Sequence, residues 1–191
     1  MKTKIILALG AVISCLSIAA YGSYAYLAGE IKAENVIAAG NIKIALIEFS
    51  PSEDASGMAA VDSLTPIVPG KAIPRTVQVE NTGDNPAYVR IRVQKEIILA
   101  ERNATPDVNL VSCDFNSEYW IDGNDGYYYY RDSLESGCRT EPLFETVIFD
   151  ASMDSLYQGS TVQMKIEAQA TQTAHNGDGV MEARGWPADK E

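Results

Sequence analysis

Few residues of this chain carry metal-binding or nucleophilic chemistry. There is one histidine, His175, and there are three cysteines, Cys15, Cys113 and Cys138. A zinc peptidase places two histidines one helical turn apart beside a glutamate, so that the metal and the general base act on one water. The sequence has no His-Glu-x-x-His motif, and two distant cysteines with one histidine fall short of the four ligands that zinc takes. We therefore predict no metal site and no cofactor.

Nucleophilic catalysis has equally little support in the sequence. Serines are frequent, but the Gly-x-Ser-x-Gly elbow of serine hydrolases does not occur. His175 lies in a stretch rich in glycine and asparagine, where an exposed loop residue is the simplest interpretation. Acidic residues are abundant enough for a carboxylate metal site, but most acidic side chains lie on solvated surfaces. We predict that the chain is not an enzyme and has no catalytic residue.

The acidic stretch Asp122-Gly-Asn-Asp-Gly126 has two interpretations, a calcium loop or a hairpin turn. Its oxygens do not follow the spacing of an EF-hand, which also needs a distant bidentate glutamate, so we prefer the turn. The turn leads into Tyr127-Tyr-Tyr-Tyr130, where aromatic residues favour a strand. The aromatics of residues 119–130 are either a ligand-binding platform or core and cross-strand pairs, and we prefer the second.

The elements that would hold these residues are β-strands. Apolar residues alternate from Val77 to Val79 and from Ala87 to Val93, on either side of a Gly-Asp-Asn-Pro cluster. This pattern predicts a β-hairpin with one face on a core and the other, carrying Tyr88 and Arg90, in water. Further strands are predicted at 41–49, 108–115, 119–121, 127–130, 144–149 and 161–171, with a short helical turn within 151–158.

Length and charge limit the class of protein. The 191 residues suit one domain of mostly β structure. A formal net charge of -11 opposes binding to nucleic acid or to anionic headgroups. We expect a signal peptide at 1–25, a β-sandwich domain at 26–175 and a C-terminal tail of uncertain order at 176–191.

The N-terminus indicates the compartment. A basic start is followed by an apolar run from Ile5 to Ala20 and by small residues before a cut between Ala25 and Tyr26. We predict a secretory signal peptide, because the apolar run is shorter than the alternative, a permanent membrane anchor, requires. A second alternative is lipidation of Cys15, which follows a lipobox-like stretch. We prefer Cys15 as a small apolar residue of the signal, since no polar tether follows it.

Export leaves Cys113 and Cys138 in the mature chain. An exported chain favours a disulfide, and two cysteines permit one intramolecular pairing. The alternative is a pair of buried thiols. The residues by themselves leave both open.

Several segments resemble the TasA/camelysin family of exported bacterial proteins. The segments are Gly22–Ile44 around the signal junction, Val68-Pro-Gly-Lys71 with Val79-Glu-Asn-Thr-Gly83 and Ala87-Tyr-Val-Arg90, and Asp125–Tyr130 with Pro142-Leu-Phe144 and Ala168-Gln-Ala170. The resemblance implies a jelly-roll-like antiparallel β-sandwich. It also implies that a dedicated signal peptidase removes the signal peptide during export. It also implies a biofilm-matrix fibre protein, although camelysin relatives have been labelled metallopeptidases.

The sequence and the resemblance together predict a secreted or cell-surface structural protein. An edge strand presents unpaired backbone groups, so a segment of another copy can add to it. The expected partners are further copies of this chain, other matrix proteins and the signal peptidase, with no nucleic acid and no membrane span after cleavage. Residues 26–37 are either the donated segment or an edge strand of their own domain. The alternatives are a non-polymerising surface adhesin and, behind it, a camelysin-like metallopeptidase.

Overall fold

The computed structural model describes residues 32–33, 36–38, 42–51, 58–59, 64–101 and 104–188. The strands in this part of the chain are β1 (Lys32–Ala33), β2 (Val36–Ala38), β3 (Ile44–Pro51), β4 (Met58–Ala59), β5 (Leu64–Pro66), β6 (Ala72–Asn81), β7 (Ala87–Ile98), β8 (Val111–Cys113), β9 (Trp120–Asp122), β10 (Tyr127–Tyr130), β11 (Phe144–Phe149) and β12 (Thr161–Gln172). Single 3-10 turns occur at Val108–Leu110 and Ser155–Tyr157. The turn at 155–157 confirms the helical turn expected within 151–158.

The strands form two sheets. The first has the order β1-β3-β6-β11-β8, with β4 beside β3, and the second has the order β2-β12-β7-β10-β9, with β5 beside β12. Pairing is antiparallel throughout the described strands except between β2 and β12, which run parallel. From β6 to β12 successive strands pass from one sheet to the other, apart from the β9–β10 hairpin. The predicted all-β sandwich with jelly-roll-like crossing of strands is confirmed, whereas the signal-peptide helix lies outside the described residues.

The two strands predicted to form a hairpin do not pair with each other. β6 pairs with β3 and β11 in the first sheet, whereas β7 pairs with β10 and β12 in the second. Their apolar side chains therefore belong to opposite walls of one core, in which Val77, Val79, Val89 and Ile91 are fully buried. The alternation correctly identified the inward faces, but the predicted hairpin is wrong.

The connection from β6 to β7 is shaped by Asn81, a fully buried residue. Its side-chain amide donates to the carbonyl oxygens of Asn85 and Leu134, at 2.8 and 2.9 Å, and its Oδ1 accepts from the Gly83 amide. A Cβ at Gly83 would lie 3.0 Å from the backbone nitrogen of Lys43, so the close approach favours glycine. These contacts direct the chain across the sandwich, where a hairpin turn would have returned it to the same sheet.

A β-bulge interrupts the alternation of β11. Phe144, Val147 and Phe149 all point into the core, which requires an extra residue between the first two. The carboxylate of Asp114 accepts hydrogen bonds from the amides of Glu145 and Thr146, at 3.0 and 2.7 Å. The bulge therefore leaves neither of these two donors unsatisfied.

An ion pair lies within the inward face of the first sheet. Arg75 follows the inward alternation of Val77 and Val79, and its Nη2 donates to Glu48 Oε2 at 2.6 Å. The two side chains are only 5% and 12% exposed, respectively. Within the described part of the chain, Arg75 Nε and Nη1 have no hydrogen-bond partner. Glu48 therefore supplies the compensating charge for a guanidinium that is largely removed from water.

Candidate functional site

The residues that the sequence singled out for possible metal-binding or nucleophilic chemistry are His175 and the cysteines. His175 is exposed in a turn, and among the described residues no group of three or more His, Cys, Asp or Glu side chains is arranged to hold a metal. The expected cleavage position, Ala25 and Tyr26, lies outside the described residues, as does Cys15.

Cys113 and Cys138 lie near opposite ends of the first sheet. Cys113 pairs with Val147, which in turn lies beside Ile73, whereas the Cys138 carbonyl accepts from the Asn81 amide. The eight residue-to-residue steps of β6 from Ile73 to Asn81 span about 26 Å at the rise of a strand. A disulfide needs Cα atoms within about 7 Å, so Cys113 and Cys138 do not form the possible bridge in this fold. Both residues are free thiols, but the alternative of two buried thiols is also not met, since Cys113 is half-buried and Cys138 is exposed.

The two thiols should react with iodoacetamide at very different rates. Burial raises the pKa of Cys113 to about 11, against an ordinary value of 9.0. At pH 8 its thiolate fraction is therefore about a hundredfold below that of an ordinary cysteine. We expect the exposed Cys138 to be labelled faster than Cys113, and the rate at Cys113 to rise as the pH approaches 11. Peptide mass spectrometry measures both rates, and equal labelling in the folded protein would contradict the structure.

The acidic stretch 122–126 forms the turn of the β9–β10 hairpin. Asp122 Oδ1 accepts from the Asn124 amide, and Asp125 accepts from the Tyr127 amide and from the Tyr129 hydroxyl. Burial opposes ionisation of Asp125, but the hydrogen bonds from Tyr129 and Tyr127 outweigh it and lower its pKa. The carboxylates thus stabilise the turn, as expected for the hairpin interpretation.

The aromatics of residues 119–130 divide between the two faces of the second sheet. Inside the sandwich, Tyr128 stacks on Phe115 with ring centroids 4.3 Å apart, and Trp120 packs 5.2 Å from Tyr130. Outside it, Tyr127 and Tyr129 are also buried, in a separate cluster. These residues are core and cross-strand pairs, as preferred from the sequence, and they do not form an exposed platform.

The outer cluster is organised around Arg90 of β7. Its guanidinium lies 3.8 Å from the centre of the Tyr127 ring, and its Nε and Nη2 donate to Gln169 Oε1 at 3.0 and 2.7 Å. Its Nη1 donates to the Tyr129 hydroxyl, and Gln169 Nε2 donates to the Tyr127 hydroxyl and to Glu167. Side chains of β10 and β12, the two strands beside β7, thus hold the planar Arg90 guanidinium by hydrogen bonds and by its attraction to the face of the Tyr127 ring.

The C-terminal segment 176–188, which we call the strap, covers this cluster. The Trp186 ring lies 4.7 Å from the Arg90 guanidinium and meets Tyr129 edge to face at 5.8 Å, and Val180 is buried beside them. The Thr171 hydroxyl donates to the Arg184 carbonyl at 3.0 Å. The strap explains why Gln169 is fully buried, although the alternation of β12 places it on the outward face.

Two sequence expectations change at this face. Residues 176–188 pack on the second sheet, so the boundary expected at 175 does not separate them from the domain. The outward face that was expected to meet water is covered where Arg90 lies. One sequence signal pointed this way: Trp186 is the one aromatic residue in 176–191, and such a large side chain is usually mostly buried. Its partner could not be identified, because Arg90 lies almost a hundred positions earlier.

The outer edge of β12 is the second notable surface. Along one edge, β12 pairs with β7 over all twelve residues, from Thr161 to Gln172. Along its other edge, which is the outer one, β5 pairs with residues 161–163 and β2 pairs in parallel with residues 168–170. Among the described strands, none pairs with residues 164–167 on this side. In the part of the chain that the structure describes, this edge of a long strand therefore pairs with two three-residue strands.

The N-terminal segment contributes to the edges of both sheets. Lys32–Ala33 pairs with Ile47 and Leu46 of β3, and Val36–Ala38 then pairs with β12. Of the two arrangements expected for residues 26–37, these described residues adopt the one in which the segment is an edge strand of its own domain. A few residue pairs hold each piece, and parallel pairing is slightly weaker per residue than antiparallel pairing.

The described residues form a β-sandwich in which the strap covers the outer face of the second sheet at Arg90. The outer edge of β12 pairs with the short strands β2 and β5. Among the described residues there is no helix with the length and apolar character needed to cross a membrane. No protein-family model, no curated protein and no solved structure matches this chain significantly.

Proposed function

We propose that this chain is a secreted or cell-surface structural protein, a fibre subunit or accessory of a biofilm matrix that assembles by β-strand addition. The observation that carries the proposal is the outer edge of β12, where the described strands that pair with this twelve-residue strand are the three-residue β2 and β5. Backbone groups at such an edge accept an extended segment from another chain without needing a particular side chain.

The proposed donor is the segment that pairs at this edge in the monomer. Val36–Ala38 is held in parallel by three residue pairs, and it belongs to the stretch that a cut after Ala25 would bring close to a new N-terminus. A neighbour's copy of the same segment can make the same backbone hydrogen bonds. Exchange of one segment for its equivalent loses few contacts, and each subunit still presents an edge to the next.

Electron microscopy of the protein that begins at Tyr26 tests this proposal. We expect filaments from the complete mature chain and their loss when residues 26–37 are deleted, because the donor is removed. A matched control deletes residues 189–191 at the other terminus and should still form filaments. Filaments that persist without residues 26–37 would contradict strand donation, and a mature protein that stays monomeric would contradict the fibre subunit.

The adhesin remains the alternative function, but the structure provides no exposed aromatic platform at 119–130 for it. Persistent monomers that bind glycan or protein surfaces would favour an adhesin. Cleavage of casein that a chelator abolishes would instead favour a metallopeptidase. Sequencing the N-terminus of the exported protein tests the cut between Ala25 and Tyr26 directly.

A further inference from the structure

We propose that the Arg90 face of the second sheet is an interaction surface for the strap of a second copy, so that two chains form a dimer by exchanging residues 176–188. In the closed monomer each strap covers its own Arg90. In the dimer each strap would make the same contacts on the partner. This inference does not depend on strand addition at β12.

The sheet itself supplies most of the contacts that orient Arg90. Arg90 is oriented by Gln169 of β12 and by Tyr127 and Tyr129 of β10, through hydrogen bonds and ring contacts. The strap adds the Trp186 ring, 4.7 Å from the guanidinium. Because contacts within the sheet orient Arg90, a segment that docks there has little left to order, whether it comes from the same chain or another.

The strap behaves as one structural unit. Asn176 Nδ2 donates to the carbonyl oxygens of Gln172 and Arg184, at 2.7 and 2.9 Å, and its Oδ1 accepts from the Arg184 amide at 2.7 Å. Trp186 Nε1 donates to the Ala183 carbonyl at 3.1 Å. The bonds between Asn176 and Arg184 hold the two ends of the strap together. The bond to Gln172 joins the strap to the end of β12, and the equivalent β12 of a second copy can supply the same carbonyl.

The turn that returns the strap to its own sheet is strained. The Asn176 amide donates to the Thr173 carbonyl, and His175 within this turn has a φ of 57°. A residue with a Cβ rarely occupies this left-handed region, which glycine adopts at no steric cost. Extension of residues 173–175 in an exchanged dimer would release this strain, and short strained hinge loops favour exchange.

The exchange would give closed dimers, because each chain donates one strap and accepts one. Strand addition at the β12 edge would instead give open filaments. The two assemblies can therefore be measured separately, and the failure of one says nothing about the other. In the monomer, the chain holds the strap near its own Arg90 face at an effective concentration in the millimolar range. A strap from another chain competes only at a similar concentration, so dimers are expected at protein concentrations of about 1 mM.

Sedimentation of the full chain after refolding at about 1 mM tests the proposal. We expect a monomer–dimer equilibrium for the natural sequence and a dimer dissociation constant at least about fivefold higher for H175G, because glycine removes the strain of the closed turn. Asn124, with a φ of 54° in the β9–β10 turn, provides the matched control, and N124G should leave the equilibrium unchanged. An unchanged equilibrium in H175G, or a natural protein that remains monomeric, would overturn the proposal.

A mixing experiment identifies the exchanged parts. W186A removes the anchor of the strap, and R90A removes the receiving side chain, with R90K as a second variant that keeps the charge but loses the planar stacking if R90A fails to fold. Each variant alone should be monomeric. A mixture should form heterodimers, since the intact strap of one variant can dock on the intact face of the other. Dimers of W186A alone, or no heterodimers in the mixture, would refute exchange through this surface.

Discussion

Replacing Glu48 with alanine is expected to lower the free energy of unfolding by about 3–5 kcal/mol, because it leaves the charge of Arg75 uncompensated inside the sandwich. The Arg75 side chain is 95% buried, and Nη2 donates to Glu48 at 2.6 Å. Two of its other nitrogens already lack a partner among the described residues, so the remaining structure cannot take over the role of the carboxylate. Urea denaturation followed by tryptophan fluorescence measures the change.

Two variants distinguish a lost charge partner from lost packing. The double variant R75M/E48L should recover most of the stability lost in E48A, since apolar side chains of similar size often replace a buried ion pair without loss. The more exposed pair of Arg139 and Glu80, 3.5 Å apart, provides the control, and R139A should cost no more than about 1 kcal/mol. A double variant as unstable as E48A would show that charge compensation is not the cause.

The second large effect is expected at Phe144. Its side chain is 1% exposed and packs in the main core, with Phe115 edge to face at 5.7 Å. Replacing it with alanine removes most of a buried aromatic and leaves a cavity, so F144A should lower the free energy of unfolding by about 3–5 kcal/mol. Thermal or urea unfolding of purified protein gives this value.

Ile148 on the same strand is the matched control for Phe144. It points outward and is 39% exposed, so I148A should change the stability by about 0.5 kcal/mol or less. The comparison also tests the bulge, because uninterrupted alternation from Phe144 would place Ile148 inward with it. Equal destabilisation by the two alanine variants would contradict the register of β11.

Some features of the fold can be predicted from short stretches of sequence. Alternation over residues 161–171 places Val162, Met164 and Ile166 in the core, and the structure buries all three. The tyrosines 127–130 form a strand behind the acidic turn, as their residue types indicate. These features depend on neighbouring residues, since a strand exposes its two faces with a period of two and a turn is decided by a few backbone angles.

The predicted strand at 108–115 shows the limit of such local prediction. In the structure residues 108–110 form a 3-10 turn, and only Val111–Cys113 pairs in the first sheet. Asp107 accepts from the Asn109 amide at 2.9 Å and so stabilises the turn in place of a longer strand. Side-chain bonds of aspartate to nearby backbone compete with strand pairing, and alternation alone does not reveal which prevails.

The sequence by itself determined the all-β class, the position of the principal strands and the inward faces of β6, β7 and β12. Only the tertiary structure decided that β6 and β7 lie in opposite sheets, that Cys113 and Cys138 are far apart, and that the strap covers Arg90. A period of two shows which face of a strand avoids water, but it does not identify the strand or segment that covers that face. That choice depends on contacts between residues far apart in the chain, such as Asn81 with Leu134 and Arg90 with Trp186.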